Sequence, residues 1–277
     1  MSKTYVIAEI GINHNGDIDL AKQLIDKANN AGCSAVKFQK RDIDSVYSKE
    51  ELNKPRESPF GTITREQKEG IEFSIEEYKE LESYSESKGL DFIVSCWDSV
   101  SLDLVEEHLD VKYHKVASAM ATDKEFLEGL NKTGKPIILS TGMCTEEEID
   151  AAINILDNVE YVLACTSTYP TKIEEINLRH ITTLKERYPY LKVGFSNHYS
   201  GLVACIGATT LGAECLEFHI TTDRTMYGSD QIASIESANE LMVSVLKIEK
   251  MLDNGKKVVY DSERPIIEKL RKVSDTV

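Results

Sequence analysis

Positive charge is scarce in this chain: 32 Lys and Arg stand against 47 Asp and Glu, a net charge of −15 at pH 7. A surface so acidic repels polyanions, which argues against nucleic acid and anionic lipid as partners. Any anionic substrate must then be held by a local basic pocket. No apolar run approaches the ~20 residues needed to span a bilayer. Met1-Ser2-Lys3-Thr4 leads straight into the strand-like Tyr5-Val6-Ile7-Ala8, with no signal-peptide pattern before it. None of the six cysteines (Cys33, Cys96, Cys144, Cys165, Cys205, Cys215) forms a C-x-x-C pair, and most sit in apolar runs. They read as reduced, buried thiols of a cytoplasmic protein rather than a disulfide framework. No short sequence period recurs, which argues against a solenoid.

What is present is a core-forming chain with an alternating pattern. At 41% hydrophobic and 29% charged residues, it can bury a sizeable core and stay soluble. A length of 277 residues suits either one large barrel or two ordinary domains. The pattern chooses between them. Short β-rich runs at 4–9, 34–39, 91–95, 112–117, 136–140, 160–165, 191–196 and 215–219 alternate with amphipathic helical stretches. Eight such strands predict a single-domain (β/α)₈ TIM barrel over residues 1–255, followed by a short charged tail at 256–277. Helix signals support it. Asp17 stands before a stripe of Leu20, Leu24, Ala28 and Ala31 that Gly32 ends. Capping boxes are expected at Ser74/Glu77, Thr122/Glu125, Thr145/Glu148 and Ser237/Glu240. Residues 40–73 break the rhythm as a long connection following a barrel strand, on the face where barrel enzymes work, and a substrate-covering role is expected of it.

Strands inside a filled barrel should be apolar, so polar residues at their C-terminal ends point to chemistry. Period-two alternation puts Lys37 and Gln39 on one side of their strand. Lys115 comes from another strand towards the same cavity, and the two ammonium groups would repel in a low-dielectric site unless an anion joined them. A phosphate and a carboxylate would resolve that conflict, with Ser118, Ser140, Ser167 and Ser196 as further donors. Either lysine taken alone could instead pair with Glu9 or Asp98. Strands seven and eight end in Ser196-Asn197-His198 and Glu217-Phe218-His219, which brings His198 and His219 side by side. Two imidazoles with open positions favour a labile divalent ion such as Mn²⁺, with Mg²⁺ or Co²⁺ as alternatives, over a closed zinc site. His14, in an Asn/Gly-rich turn, could join them or support them from outside.

These residues resemble the sialic acid synthase (N-acetylneuraminate synthase) family of phosphoenolpyruvate-condensing barrels, over nearly the whole chain from Ile7 to about Leu252. The strings that carry the likeness are Ala8-Glu9-Ile10-Gly11-Ile12-Asn13-His14-Asn15-Gly16, Val36-Lys37-Phe38-Gln39, Ser140-Thr141-Gly142-Met143 and Cys165-Thr166-Ser167-Thr168-Tyr169-Pro170-Thr171. The stretch from His219 through Asp223-Arg224 to Gly228-Ser229-Asp230 completes it. The resemblance implies that Lys37, Lys115, Ser118, Ser140, Ser167 and Ser196 cradle phosphoenolpyruvate and that His198 and His219 ligate the metal. It further implies that Glu9 is the acid/base near the forming hemiketal, that Tyr169 and Asp230 contact the acceptor sugar, and that Gln39 supports them. The product would be a sialic-acid-like nonulosonic acid, made by a homo-oligomer.

The departures cluster at the acceptor. The family's small C-terminal antifreeze-like domain, which supplies an arginine to the partner's acceptor site, has no counterpart in these residues. Met120 stands where an acidic residue is usual, Tyr227-Gly228-Ser229-Asp230 replaces Pro-Gly-Pro-Asp, and Cys96 replaces a frequent threonine. The acceptor is therefore expected to be an N-acylmannosamine or a related hexose, including its 6-phosphate, with Arg56 or Arg65 of the long connection gripping the phosphate. A metal-dependent aldolase or sugar isomerase would also use two histidines but has no need of the paired lysines. A catalytically silent barrel serving as a binding or assembly subunit is the alternative of another class.

Overall fold

The computed structural model describes residues 3–272. Its centre is a closed barrel of parallel strands: β1 (Tyr5–Gly11), β2 (Ala35–Lys40), β5 (Asp91–Cys96), β6 (His114–Val116), β7 (Ile137–Ser140), β8 (Val159–Cys165), β9 (Lys192–Asn197) and β10 (Cys215–His219). Strands β3 (Pro55–Ser58) and β4 (Gly61–Ile63) form a separate antiparallel hairpin in the connection after β2. The barrel closes where β1 pairs with β10, Tyr5 opposite Cys215 and Glu9 opposite His219. Every expected strand is found, with ends shifted by at most two residues.

Alternation along each strand sorts the interior into levels. Tyr5, Tyr113 and Tyr161 plug the N-terminal end, with ring centroids 5.5 to 6.1 Å apart. Above them Ile7, Ala35, Ile93, Ile138, Leu163 and Cys215 form a dry apolar layer. One pleat higher the residues turn polar: Glu9, Lys37, Ser95, Lys115, Ser140, Ser196 and Glu217 are all buried at the C-terminal end. The larger apolar cluster lies outside the strands, where Leu24, Leu81, Leu127, Leu184 and Leu241 of the surrounding helices pack on outward-facing Val36, Phe38, Val94 and Phe218. The floor under the polar level is thus rigid and apolar, and the polar groups stand on it.

Local signals worked unevenly. Asp17 caps the first helix by accepting from Asp19 N and Leu20 N, and Gly32 ends it at φ 86°. The Ser74/Glu77 and Thr145/Glu148 boxes form. The expected box at Thr122 does not, because Asp123 takes the cap one residue later, and Ser237 makes no side-chain cap bond. The connection after β2 is built structure: short helices at Ile43–Val46 and Lys49–Leu52, the hairpin, and a helix at Thr64–Ile71. It is pinned against the turn after β1. A Cβ on Gly16 would meet Gly70 O at 2.1 Å, and one on Gly70 would meet the Phe60 ring at 2.3 Å, so only glycines allow this approach. No helix among the described residues is long and apolar enough to cross a membrane.

Candidate active site

The pocket at the C-terminal end of the barrel is lined by Lys37, Gln39, Ser95, Trp97, Lys115, Ala117, Ser118, Ala119, Ser140, Met143, Ser167, Tyr169, Ser196, His198, Glu217 and His219. Nearly every residue singled out in the sequence is therefore brought to one cavity. Glu9 and Asp230 stand directly behind it, through contacts with Lys37 and Gln39 in one case and His219 in the other.

The lysines do converge, and the protein itself compensates them. Lys37 Nζ lies 2.9 Å from Glu9 Oε2, and Glu217 Oε2 sits 3.9 Å from Lys37 Nζ and 3.6 Å from Lys115 Nζ. Of the two partners weighed for the lysines, Glu9 is taken up by Lys37, and Glu217, which was not considered, faces both ammonium groups. Asp98 takes no part, since its carboxylate accepts from Ser101 N and Asp42 N. Burial opposes the charge on Lys37, but Glu217 and Glu9 outweigh it and its pKa rises. For Lys115, burial and the repulsion of Lys37 outweigh the attraction of Glu217, and its pKa falls. Burial pushes the Glu217 carboxyl up, yet the two lysines and the Ser196 hydroxyl bring it down to about 2. Lys115 donates to Ser140 Oγ at 2.7 Å, and Ser196 Oγ donates to Glu217 Oε1 at 2.9 Å.

Beside this cluster the strands bring small hydroxyl and thiol groups together. Ser118 Oγ accepts from Gly142 N at 3.0 Å and lies 3.6 Å from Cys165 Sγ, which is 3.4 Å from Ser167 Oγ. The approach depends on Gly142, where a Cβ would stand 2.1 Å from Ser167 Oγ and 2.7 Å from Ser118 Oγ. Serines 118, 140, 167 and 196 all line the cavity.

His198 and His219 lie as adjacent strand ends should place them, their ring centroids 5.3 Å apart. His198 Nδ1 donates to Thr166 O at 3.0 Å, which leaves Nε2 as the acceptor of the Tyr169 hydroxyl at 2.9 Å. His219 Nδ1 is buried without a hydrogen-bond partner, with Asp230 Oδ2 at 3.6 Å, and burial holds its pKa below the usual value. No group of three or more His, Cys, Asp or Glu side chains among the described residues is arranged to hold a metal. The protein would supply two imidazoles, leaving the other positions to water and substrate oxygens. A backbone carbonyl orienting one ring and an unsatisfied nitrogen on the other fit that role.

Other expectations part from the structure. His14 does not join the pair: it stacks on Phe73 at 4.1 Å, and its Nδ1 accepts from Gly16 N at 3.1 Å. Arg56 is exposed on β3 and does not line the pocket. Arg65 is half-buried and spent on Asp44 at 2.6 Å and Glu69 at 3.0 Å. Neither arginine is among the residues that line the pocket. Met120 is buried among apolar neighbours. Sequence reasoning gave no role to Glu217, Ser95 or Trp97, and took Cys165 only as a buried thiol. The signal was available: Glu217 shares a face with His219, Cys165 with Ser167, and Ser95 with Trp97.

The profile of the NeuB family matches residues 24–257. The chain is 36% identical over 275 residues to the N-acetylneuraminate-9-phosphate synthase of Mus musculus, covering 97% of this chain and 76% of that protein. It is 34% identical over 288 residues to the N,N'-diacetyllegionaminic acid synthase of Campylobacter jejuni, covering 98% and 84%. The solved N-acetylneuraminic acid (sialic acid) synthetase of Leptospira borgpetersenii, in complex with citrate, matches with a TM-score of 0.84 at 30% identity, covering 96% of this chain and 90% of that one. Strand-end motifs, barrel and relatives agree, and the chain belongs to the NeuB family.

Proposed function

We propose that this chain condenses phosphoenolpyruvate with the open-chain form of an N-acylmannosamine or related hexose, giving a nonulosonic acid and inorganic phosphate. The observation that carries the reading is the buried Glu9–Lys37–Glu217–Lys115 cluster with Ser140 and Ser196 bonded into it, directly beside two imidazoles. Phosphoenolpyruvate entering there meets two ammonium groups that share Glu9 and Glu217 as counter-ions, together with four serine hydroxyls on and just beyond the strand ends.

C3 of the enolpyruvate bonds to the aldehyde carbon, and water adds to the C2 centre that becomes electron-poor. The aldehyde oxygen becomes a hydroxyl on taking up a proton; the C2–O bond to phosphate then breaks, the C2 hydroxyl gives its proton to the departing phosphate, and the 2-keto acid remains. Glu9 accepts the proton of that water; Lys37 at 2.9 Å holds the carboxylate in place. Lys115 and the serines neutralise and orient the leaving phosphate. Tyr169 and Asp230 border the acceptor side. A divalent ion at His198 and His219, Mn²⁺ in preference to Mg²⁺ or Co²⁺, would polarise the aldehyde oxygen as a Lewis acid. Holding both reactants on one scaffold is worth up to ~7–11 kcal/mol of the barrier.

Several relatives are named as 9-phosphate synthases. C9 of such a product descends from C6 of the hexose, which supports a 6-phosphorylated acceptor here. The enzyme is read as a cytoplasmic homo-oligomer, its size measurable by light scattering. The test is phosphate release from phosphoenolpyruvate across hexoses, N-acylhexosamines and their 6-phosphates, with each divalent ion. Release that requires both an aldehyde sugar and a metal is expected. Aldehyde-independent release, or none with any sugar, would refute the reading.

A further inference from the structure

Outside the groups just assigned a role, a buried guanidinium stands near the pocket: that of Arg41, the first residue after β2. It is buried, 8% exposed, in the loop that leaves the barrel. Its guanidinium carbon lies 4.2 Å from the centroid of the pocket-lining Trp97 ring. Nη1 lies 3.5 Å from Glu72 Oε1, whose partner oxygen accepts from Arg41 N at 3.3 Å. Nη2 donates to Gln39 Oε1. Gln39 Nε2 in turn donates to Glu9 Oε1 at 2.6 Å, and Glu9 Oε2 meets Lys37 at 2.9 Å. A single line of polar contacts therefore runs from Glu72 through Arg41 and Gln39 to Glu9.

The direction of this line is dictated by chemistry. A guanidinium only donates and a carboxylate only accepts, whereas a carboxamide does both from opposite ends. Gln39 can satisfy both neighbours in one orientation alone, oxygen towards Arg41 and NH₂ towards Glu9. Turned over, it would set donor against donor and acceptor against acceptor. We propose that Arg41 is a positioning residue for the reaction: by fixing the Gln39 amide it holds the Glu9 carboxylate in its working position. The stack on Trp97 and the contact with Glu72 in turn fix Arg41, so the structured connection after β2 is coupled to the acid/base. This inference rests on the role proposed for Glu9. Arg41 makes no contact with the serines or with Lys115, so binding of phosphoenolpyruvate is left to others.

The test uses the full chain with Arg41→Met, Arg41→Lys, Gln39→Ala and the double variant, with thermal midpoints confirming folding. Arg41→Met should lower kcat by roughly 10²-fold, as expected for a displaced catalytic group, with KM for phosphoenolpyruvate within about 2-fold. Arg41→Lys, still cationic but unable to stack and fork together, should recover only part of the loss. In the Gln39→Ala background the Arg41→Met effect should vanish, because the two act in series. Additive losses, or a rise in KM without a fall in kcat, would overturn the proposal. A second readout does not depend on turnover: the Gln39 side-chain NH₂ resonances, identified by their loss in Gln39→Ala, should be sharp in the parent and exchange-broadened in Arg41→Met. Unchanged resonances would also overturn it. Sharp-to-broad behaviour in a protein that releases no phosphate would instead leave the amide device standing and remove the reaction proposed for the site.

Discussion

Replacing Glu217 by Gln removes one charge from the pocket and almost nothing else. The amide keeps the volume and can still accept from Ser196, whose hydroxyl lies 2.9 Å from Oε1. What disappears is the countercharge 3.6 Å from Lys115 and 3.9 Å from Lys37. At these separations and an effective dielectric of about 20, each attraction is worth about 4 kcal/mol. Lys37 keeps Glu9; Lys115 keeps no carboxylate. The gross loss is capped because Lys115, already held below its ordinary pKa by burial, escapes by releasing its proton. A net destabilisation of about 3–5 kcal/mol is expected at pH 7, the range for stripping one partner from a buried pair. Urea unfolding of parent and variant measures it. Inorganic phosphate supplies the decisive arm. An anion between the lysines restores the missing charge, so saturating phosphate should stabilise Glu217→Gln more than the parent, by about 1.4 kcal/mol for each tenfold gain in affinity. If the variant unfolds with the parent and gains no more from phosphate, then Glu217 does not compensate the lysines and the cluster is not an anion site.

Three further outcomes are open to measurement. His219→Gln should abolish measurable Mn²⁺ binding in calorimetry and lower condensation by at least about 10²-fold while leaving the thermal midpoint nearly unchanged; undiminished Mn²⁺ affinity would exclude the imidazole pair as the metal site. Gly142→Ala drives a methyl against Ser167 and Ser118, an overpacking of about 1–3 kcal/mol. KM for phosphoenolpyruvate should rise by about 10- to 100-fold with metal affinity intact, and an unchanged KM would detach these serines from the substrate. The third outcome concerns pH. Burial drives the His14 pKa down from 6.5 to about 3. Between those values the unfolded chain binds a proton that the folded protein refuses, so stability falls as pH drops from 6.5 towards 3, by about 1.4 kcal/mol per unit. His14→Gln should have a shallower dependence over that window, and parallel curves for the two proteins would contradict a neutral buried imidazole.

Much of the site was legible because a barrel strand is a ruler. Residues two apart share a face, and strand ends share a level, so Lys37 with Gln39 and His198 beside His219 followed from spacing once eight strands were counted. The same ruler reaches Glu217 two residues before His219, but only Glu9 and Asp98 were weighed as carboxylate partners for the lysines. Capping failed where two candidates adjoined: Thr122 and Asp123 are equally good on paper, and the chain's path chose Asp123.

Alternation and helix caps are local and repeat every few residues, so the barrel, its polar end and the kinds of group gathered there are written along the chain. Which charges meet is set by the folded arrangement. Glu9 and Glu217 meet Lys37 through pairing between β1, β2 and β10, Glu217 meets Lys115 of β6 across the barrel, and Arg65 is lost to Asp44 across a folded connection. Arg41 reaches Glu9 only through the Gln39 amide. Electrostatic interaction depends on distance and burial, and both are set when segments remote in the chain are brought together, which no local pattern records.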